Sequence, residues 1–387
     1  MNQVLKTVDT AEGLRTSLVE QPRPEVTDNT IVARLRCVPL HGSFWLASHP
    51  ARIHPRADEF LAEGSFVFGN GGVVEAVEVG SGITDVRPGD VLCVYGHVPC
   101  KHYDCYACTV LHRYTECDYG ESHILGHGKG APDGTYGTYC RLPRSSFEIC
   151  YQRDETPDED SIKAFMYGFL FADVRNALTR HPDTLRNRRM LLFGAGQSSL
   201  IAAYLHSYSC PGSSILVVDP SQERLDRIRS LSPDSIATYK LSADLATALS
   251  TKGREYVGEE LSQTIKEIAV AMEDHFRGRK CNVLFDGSSG CTTPLWDNQE
   301  ILSATTHCIP FGFGSSEIIL NAPLMQASGL TVMMSRGVGN LRNRREVIEL
   351  IKFGAARFVR DYLLEGALEL PGFSEAAAFI QEQHEPP

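Results

Sequence analysis

The sequence predicts an α/β protein of two domains, the second built on a doubly wound parallel sheet. Its 387 residues exceed the roughly 250 beyond which a single core rarely grows. Up to about residue 150, short β-runs are broken by glycine and proline, and from about 188 strands alternate with helices. Such alternation implies parallel strands joined by crossover helices.

Composition is that of an ordinary globular protein and excludes some partners. Hydrophobic residues make up 42% of the chain and charged residues 22%, with a formal net charge of −11. This charge argues against nucleic acid as the main partner, and no apolar run approaches the roughly 18 residues of a membrane helix. The start of the chain also lacks the apolar core of a signal peptide, so we expect a cytoplasmic protein. Thiols stay reduced there, and clustered cysteines indicate metal binding rather than disulfides.

Individual elements follow from local patterns. TIVARLRCV, GGVVEAVEVG and DVLCVYG are predicted strands of the first part, and MLLFGAG, SILVVD and CNVLFDGSSG of the second. Predicted helices are SSLIAAYLHSYS, SQERLDRIRSL, EELSQTIKEIAVAMEDHF, NLRNRREVIELIKFG and FSEAAAFIQEQ. A further helix is expected to begin near Ile162, with Asp160 and Ser161 as candidate caps. The basic residues from Arg342 to Arg345 are interpreted as a solvated face, the alternative being contact with an acidic substrate or cofactor phosphates.

The run LLFGAGQSSL places a glycine turn between an apolar strand and a helix. Gly194 permits the tight turn, and Gly196 leaves room for a pyrophosphate at the positively polarised helix N-terminus. Ser199 occupies the third glycine position of G-x-G-x-x-G, where close helix–strand packing is needed. Asp219 ends the next strand, where a carboxylate binds both ribose hydroxyls and repels a 2′-phosphate. The pattern predicts a Rossmann domain that prefers NAD(H) to NADP(H), with Arg224 either near the adenosine ribose or solvated.

Four cysteines lie within CKHYDCYACTVLHRYTEC, at Cys100, Cys105, Cys108 and Cys117. Four thiolates complete a tetrahedral zinc shell and leave no open position for water or substrate. We therefore expect one structural zinc per chain, in a lobe at about residues 97–120. A shell of three cysteines with His102, or four thiols without metal, are the alternatives.

The stretches FVFGNGGVVEAVEVGSGITDVRPGDVL (66–92) and DGTYGTYCRLP (133–143), with the cysteines and the glycine turn, resemble the medium-chain dehydrogenase/reductase superfamily, zinc alcohol dehydrogenase type. The resemblance covers nearly the whole chain. It implies a GroES-like, partly open β-barrel catalytic domain (1–170 and 338–387) and a Rossmann domain (171–337). It also implies hydride transfer between NAD(P) and a small molecule in the cleft between them, and a homodimer or homotetramer.

Set against the family's pattern, the ligands of the catalytic zinc are replaced. His41 stands in the turn of the first ligand, Asn70 replaces the histidine of a GHE motif, and Gly168 or Phe169 falls at the third position. Three protein ligands are the norm for a catalytic zinc, so none is expected here. The alternative is an ordinary zinc enzyme with atypical ligands, such as His41 or Cys37.

Three residues are candidates for the catalytic role that zinc has in the family. His41 titrates near neutrality and can transfer a proton, Ser43 matches a relay hydroxyl of the family, and Asn70 can donate an N–H to a substrate oxygen. Asn70 lies between glycines, so a left-handed turn is its structural alternative. We thus expect an NAD(H)-dependent oxidoreductase of specialised metabolism, acting on a carbonyl, imine or activated C=C without a catalytic zinc. A cofactor-binding protein without turnover is the alternative.

Overall fold

The computed structural model describes residues 1–10, 13–39, 65–126, 131–180, 184–186, 189–252, 258–288, 292–297, 299–303, 306–311, 330–333 and 337–364. His41, Ser43 and the predicted helix FSEAAAFIQEQ lie outside these ranges. The chain divides into two compact units, one of residues 1–172 and 337–387 and one of residues 173–336. Within the described ranges, no helix has the length and apolarity needed to cross a membrane.

Sixteen strands are described. They are β1 (Asn2–Thr10), β2 (Gly13–Gln21), β3 (Thr30–Cys37), β4 (Ser65–Val67), β5 (Gly72–Val79), β6 (Val91–Val94), β7 (His97–Val98), β8 (His123–Ile124), β9 (Tyr139–Pro143), β10 (Phe147–Tyr151), β11 (Arg189–Phe193), β12 (Ser214–Asp219), β13 (Ile236–Lys240), β14 (Val283–Asp286), β15 (His307–Pro310) and β16 (Thr331–Val332).

The described helices include short turns as well as long segments. The α-helices are α1 (Tyr106–Thr109), α2 (Glu159–Ala164), α3 (Gly168–Thr179), α4 (Gln197–Ser209), α5 (Gln222–Arg229), α6 (Ala243–Lys252), α7 (Glu259–His275), α8 (Thr293–Trp296), α9 (Leu341–Leu350) and α10 (Ala356–Phe358). Turns of 3₁₀-helix occupy Tyr114–Glu116, Arg144–Ser146, Phe165–Tyr167 and Thr184–Arg186, and π-helical turns occupy Ile351–Ala355 and Val359–Leu363.

Antiparallel sheets form the first unit. Five strands pair in the order β10-β6-β5-β3-β9, three in the order β2-β1-β4, and β7 pairs with β8. Alternate residues of the central strands face one core, which includes Ile31, Ala33, Val74, Ala76 and Leu92. The three predicted β-runs of this part are confirmed as β3, β5 and β6.

The predicted helix near Ile162 begins earlier than expected. Helix α2 starts at Glu159, and its cap is Asp158 rather than Asp160 or Ser161. The Asp158 backbone is extended, and its Oδ1 accepts the backbone N–H of Ser161 at 2.7 Å. Asp158 therefore satisfies the free N–H at the helix start, and Glu159 and Asp160 fall inside the first turn.

Six parallel strands form the second unit, in the order β13-β12-β11-β14-β15-β16. In chain order this is 3-2-1-4-5-6, the doubly wound arrangement in which dinucleotides bind beyond the carboxyl ends of the strands, where the order reverses. The reversal falls between β11 and β14, which pair in register through Leu191 and Leu284. The predicted elements β11, β12, β14, α4, α5 and α7 are confirmed, whereas β13, β15, β16 and α6 were not predicted.

Candidate functional site

The glycine turn lies directly after β11, at the reversal of the sheet. Gly194 has a φ of +84°, a left-handed conformation that favours glycine, and its N–H donates to the Val218 carbonyl at 2.8 Å. Gly196 has a φ of −78°, and a Cβ built on it would meet no atom of the described residues within 4 Å. The backbone thus requires glycine at 194 but not at 196, where the open space before α4 is what a pyrophosphate needs.

Asp219 is buried at the end of β12 and ties the glycine turn to that strand. Its Oδ2 accepts the N–H of Ala195 at 2.7 Å, and its Oδ1 accepts the N–H of Ser221, also at 2.7 Å. Each carboxylate oxygen has two lone pairs, so each keeps an acceptor position for a ribose hydroxyl. Arg224, the third residue of α5, has an exposed side chain, and its backbone N–H donates to Ser221 Oγ at 3.4 Å.

Ser199 and Gly287 share the packing that a third glycine usually permits. Ser199 is buried on α4, and its Oγ is 2.6 Å from the position that a Cβ on Gly287 would occupy. Gly287 follows β14, and its N–H donates to the Phe193 carbonyl at 2.9 Å. Helix α4 and the loop after β14 can approach closely because the glycine, Gly287, is on the loop. In the usual motif the glycine is on the helix.

The four cysteine sulfurs of the lobe lie together. Cys100, Cys105, Cys108 and Cys117 have their Sγ atoms within 4.8 Å of one another, and the Cys105 and Cys117 sulfurs are 3.9 Å apart. All four are free thiols. A tetrahedral shell with Zn–S bonds of about 2.3 Å places its sulfurs about 3.8 Å apart, so the cluster fits a zinc ion.

His102 is directed away from this cluster. Its Nε2 is 2.8 Å from Glu121 Oε2, and its ring stacks on Tyr119 with centroids 4.0 Å apart. Asp118, which the sequence did not single out, has an Oδ2 that accepts from the Cys105 thiol at 3.5 Å and from the Ala107 N–H at 3.3 Å. The only sequence feature that could have pointed to Asp118 is its position directly after Cys117.

The thiols of the lobe differ in acidity. Burial raises the pKa of Cys100 and of Cys108. Burial acts on Cys117 in the same direction, but hydrogen bonds from the backbone N–H groups of Tyr119 and Glu121 and from neighbouring thiols lower its pKa to about 6. Cys117 is therefore the thiol of the lobe on which negative charge is best stabilised by hydrogen bonds.

Asn70, at the position of the second catalytic-zinc ligand, is a buried residue with an unpaired acceptor. Among the residues that the structure describes, its side-chain Oδ1 has no hydrogen-bond partner. The positive φ angles of this turn belong to Gly69 (+110°) and Gly72 (+116°), so the left-handed alternative for Asn70 itself is wrong. The glycines carry the strained conformation, which leaves the asparagine side chain available for a ligand.

Aromatic packing fills the third ligand position. A Cβ on Gly168 would lie 2.5 Å from the Cys93 sulfur, and the next residue, Phe169, stacks on His97 with ring centroids 5.9 Å apart and an interplanar angle of 9°. His97 was not predicted, and its Nδ1 is 2.6 Å from the Tyr95 carbonyl oxygen. Burial raises the pKa of the alternative ligand, Cys37, to about 12. Within the described ranges, which exclude 40–64, the lobe is the one His, Cys, Asp or Glu group arranged for a metal.

Comparison with known proteins finds dehydrogenases among the sequences similar to this chain. No protein-family model matches it. Sorbitol dehydrogenase of Bombyx mori is 24% identical over 251 residues, which is 64% of this chain and 62% of that protein, so less than two thirds of this relative is spanned. Probable D-xylulose reductase A of Aspergillus clavatus is 24% identical over 377 residues, 94% of this chain and 89% of that one.

Solved structures agree in fold. An alcohol dehydrogenase from Thermotoga maritima superposes with a TM-score of 0.69 at 15% identity, covering 99% of this chain and 96% of that one. Its match and those of the relatives confirm the resemblance drawn from the sequence. The chain has the fold of the medium-chain dehydrogenase/reductase superfamily, zinc-type alcohol dehydrogenases included, and dehydrogenases are its sequence relatives.

Proposed function

We propose that the chain is an NAD(H)-dependent oxidoreductase that transfers a hydride between the cofactor and an alcohol or carbonyl carbon of a small polyhydroxylated molecule. The observation that carries this proposal is the glycine turn at the strand reversal, with open space at Gly196 and the Asp219 carboxylate beside it. The relatives are named for sorbitol and xylulose, a sugar alcohol and a keto sugar, which supports that substrate class.

The residues around the turn fit a dinucleotide. When bound, the nicotinamide ring supplies or takes up the hydride. Gly196 and the start of α4 would hold the pyrophosphate, and Asp219 would accept the ribose hydroxyls. A 2′-phosphate would meet the Asp219 charge at close range, which favours NAD(H) over NADP(H). Fluorescence titration with NADH and NADPH tests this preference, and equal affinities would contradict it.

Proton chemistry is proposed to belong to side chains rather than to a catalytic zinc. The side-chain N–H of Asn70 donates to the reacting oxygen of the substrate, and its unpaired Oδ1 accepts a second hydroxyl of the polyol, which fixes the orientation of the substrate. His41 and Ser43 carry the released proton away, in keeping with the acidity of imidazole and the relay position of the hydroxyl. Phe169 packed on His97 at the third ligand position supports this assignment.

Zinc stoichiometry separates this mechanism from the alternative. Elemental mass spectrometry on protein purified without a metal-binding tag should give about one zinc per chain, from the four-cysteine lobe alone. Thiol-blocking reagents should release it. About two zincs per chain would mean that atypical ligands hold a catalytic ion, and the zinc-polarised carbonyl would replace the side-chain mechanism.

Activity is tested directly with a substrate panel. NADH oxidation is measured with ketoses, aldehydes, imines and enals, and NAD⁺ reduction with sugar alcohols. We expect turnover with polyols or ketoses. Saturable NADH binding without turnover on any of these would assign a cofactor-binding protein instead, and absence of NADH binding at high micromolar concentration would remove the proposal. We also propose a cytoplasmic homodimer or homotetramer, which fractionation and sedimentation test.

A further inference from the structure

Arg344 is buried, contrary to the predicted solvated face. It lies on α9 with 0% of its surface exposed, and its Nη1 donates to the Ser145 carbonyl at 2.8 Å. Its guanidinium carbon lies 5.6 Å from the centroid of the Tyr95 ring and 5.1 Å from that of Tyr114. The Tyr95 hydroxyl donates back to the Arg344 carbonyl at 3.2 Å. The guanidinium therefore lies against two aromatic rings, one from the end of β6 and one from the cysteine lobe.

Tyr114 belongs to the packing of the lobe itself. It is 5% exposed and shares a small core with Cys105, Ala107 and Cys108. Its place in the sequence is between the third and fourth cysteines. A cation over an aromatic ring attracts it more strongly when both are withdrawn from water, as they are here.

The segment that begins at Gly337 contacts the lobe at a second point. Gly337 has a φ of +69°, and a Cβ on it would lie 2.6 Å from Thr115 Cγ2. Thr115 follows Tyr114 in the same 3₁₀ turn. This segment and α9 thus contact two successive residues of the turn that separates Cys108 from Cys117.

Hydrogen bonds hold the guanidinium only in part. Within the described part of the chain, its Nε and Nη2 have no hydrogen-bond partner, and neither has Oε1 of the buried Glu148. Burial lowers the pKa of Arg344 and raises that of Glu148, since each is withdrawn from water. Loss of the rings would leave a buried cation with still fewer compensating contacts, which is strongly unfavourable.

We propose that Arg344 is a positioning residue of the cysteine lobe, which couples metal binding by the four cysteines to the docking of helix α9. The coupling rests on the structural zinc site proposed above and extends it to a segment that supplies no ligand. Coupling between two binding events is reciprocal. Zinc binding orders the Tyr114 turn and so raises the equilibrium constant for docking of helix α9. The docked helix raises the affinity for zinc by the same factor.

Hydrogen exchange on the intact wild-type chain tests one direction of the coupling. Exchange is measured by mass spectrometry on zinc-loaded protein and on protein depleted by a chelator. Amides of α9 should exchange about tenfold faster after depletion, in line with the strength of a desolvated cation–π contact, while those of β11 and β12 stay unchanged. Unchanged exchange in α9 after zinc has left would overturn the coupling and leave the zinc site intact. A chain that binds no zinc even after reconstitution would overturn both.

Variants test the other direction. Zinc release to a colorimetric chelator should be about tenfold faster for Arg344→Met and for Tyr114→Leu, and Arg344→Lys should keep part of the effect because it keeps the charge. Arg342→Met is the matched control on the same helix, since its side chain is 85% exposed and pairs with Glu346. The double variant Arg344→Met with Tyr114→Leu should release zinc no faster than either single variant, because both substitutions remove the same contact. Release from Arg344→Met at the rate of the control would overturn the proposal, and should that variant fail to fold, Tyr114→Leu and the exchange experiment decide it.

Discussion

Asn70 is the residue on which the proposed substrate contact rests. A buried acceptor left without a hydrogen bond costs about 1 to 3 kcal/mol, and such groups are rare in folded proteins. The turn around Asn70 does not need an amide, because Gly69 and Gly72 supply its positive φ angles. The unpaired oxygen supports the proposal that a substrate hydroxyl pairs with it.

Replacing Asn70 with leucine, which has a similar shape, should therefore separate stability from activity. We expect Asn70→Leu to leave the free energy of unfolding unchanged or to raise it by about 1 kcal/mol, because an unsatisfied polar group is removed. The kcat/KM should fall about 100-fold, the loss typical of one preorganised polar contact to the reacting group. Denaturant unfolding and steady-state kinetics on the same preparation give both numbers. Undiminished kcat/KM would exclude Asn70 from the reaction.

Asp219 combines a structural and a binding contribution. Asp219→Asn removes the charge that opposes a 2′-phosphate and keeps an acceptor for one of the two backbone N–H groups. We expect NADH affinity to fall about tenfold relative to NADPH affinity, with a loss of about 1 to 2 kcal/mol in stability. Asp226→Asn, on the exposed side of the neighbouring helix α5, is the control. An unchanged ratio of the two affinities would contradict the assignment.

At the level of elements, the close contact of α4 with the loop after β14 depends on the absence of a side chain at Gly287. Gly287→Ala should cost about 1 to 3 kcal/mol through overpacking against Ser199 Oγ. Ser199→Ala removes that oxygen, so the double variant should regain most of the loss. Thermal unfolding of the four proteins in the cycle measures the interaction. If the stability losses of Gly287→Ala and Ser199→Ala simply add in the double variant, the contact with Ser199 Oγ is not what limits the size of residue 287.

Local spacing made much of this structure predictable at the level of elements. The Rossmann strands β11, β12 and β14 are apolar runs of the expected length, whereas β13 (IATYK) is half-buried and has no such run. The four cysteines are close in sequence, so their spacing indicated their meeting in space. His97 and Gly287 depend on contacts with distant segments, which no local pattern records. The burial of Arg344 was predictable from the sequence, since the apolar Val347 and Ile348 lie three and four residues later and share its helix face.

Acid–base balance concerns the second unit through the half-buried Asp173 and the buried His206. Oδ1 of Asp173 and both ring nitrogens of His206 have no hydrogen-bond partner among the described residues. Burial raises the pKa of Asp173 to about 7 and lowers that of His206 to about 4. The raised carboxyl pKa means that stability falls as pH rises from about 4 to about 7. The lowered imidazole pKa means that stability falls as pH drops from about 6.5 to about 4. The two slopes, each about 1.4 kcal/mol per pH unit, oppose each other over their common window.

Single variants should reveal each slope. With Asp173→Asn, the free energy of unfolding should rise more steeply with pH between about 4 and 6.5 than in the wild type, because the opposing slope of Asp173 is removed. With His206→Leu, it should fall with pH up to about 7 and then level off. Urea unfolding of zinc-loaded protein at several pH values measures these curves. Curves that run parallel to that of the wild type would show that neither group titrates as its burial implies.

The first unit is assembled from both ends of the chain, residues 1–172 and 337–387, while the second is continuous. Domains generally fold as units while the chain emerges from the ribosome, so residues 173–336 can fold before the segment from residue 337 onward is made. Until then Tyr95 and Tyr114 lack the arginine that packs between them. A nascent chain that lacks α9 would therefore hold zinc more loosely than one in which Arg344 has been made and packed.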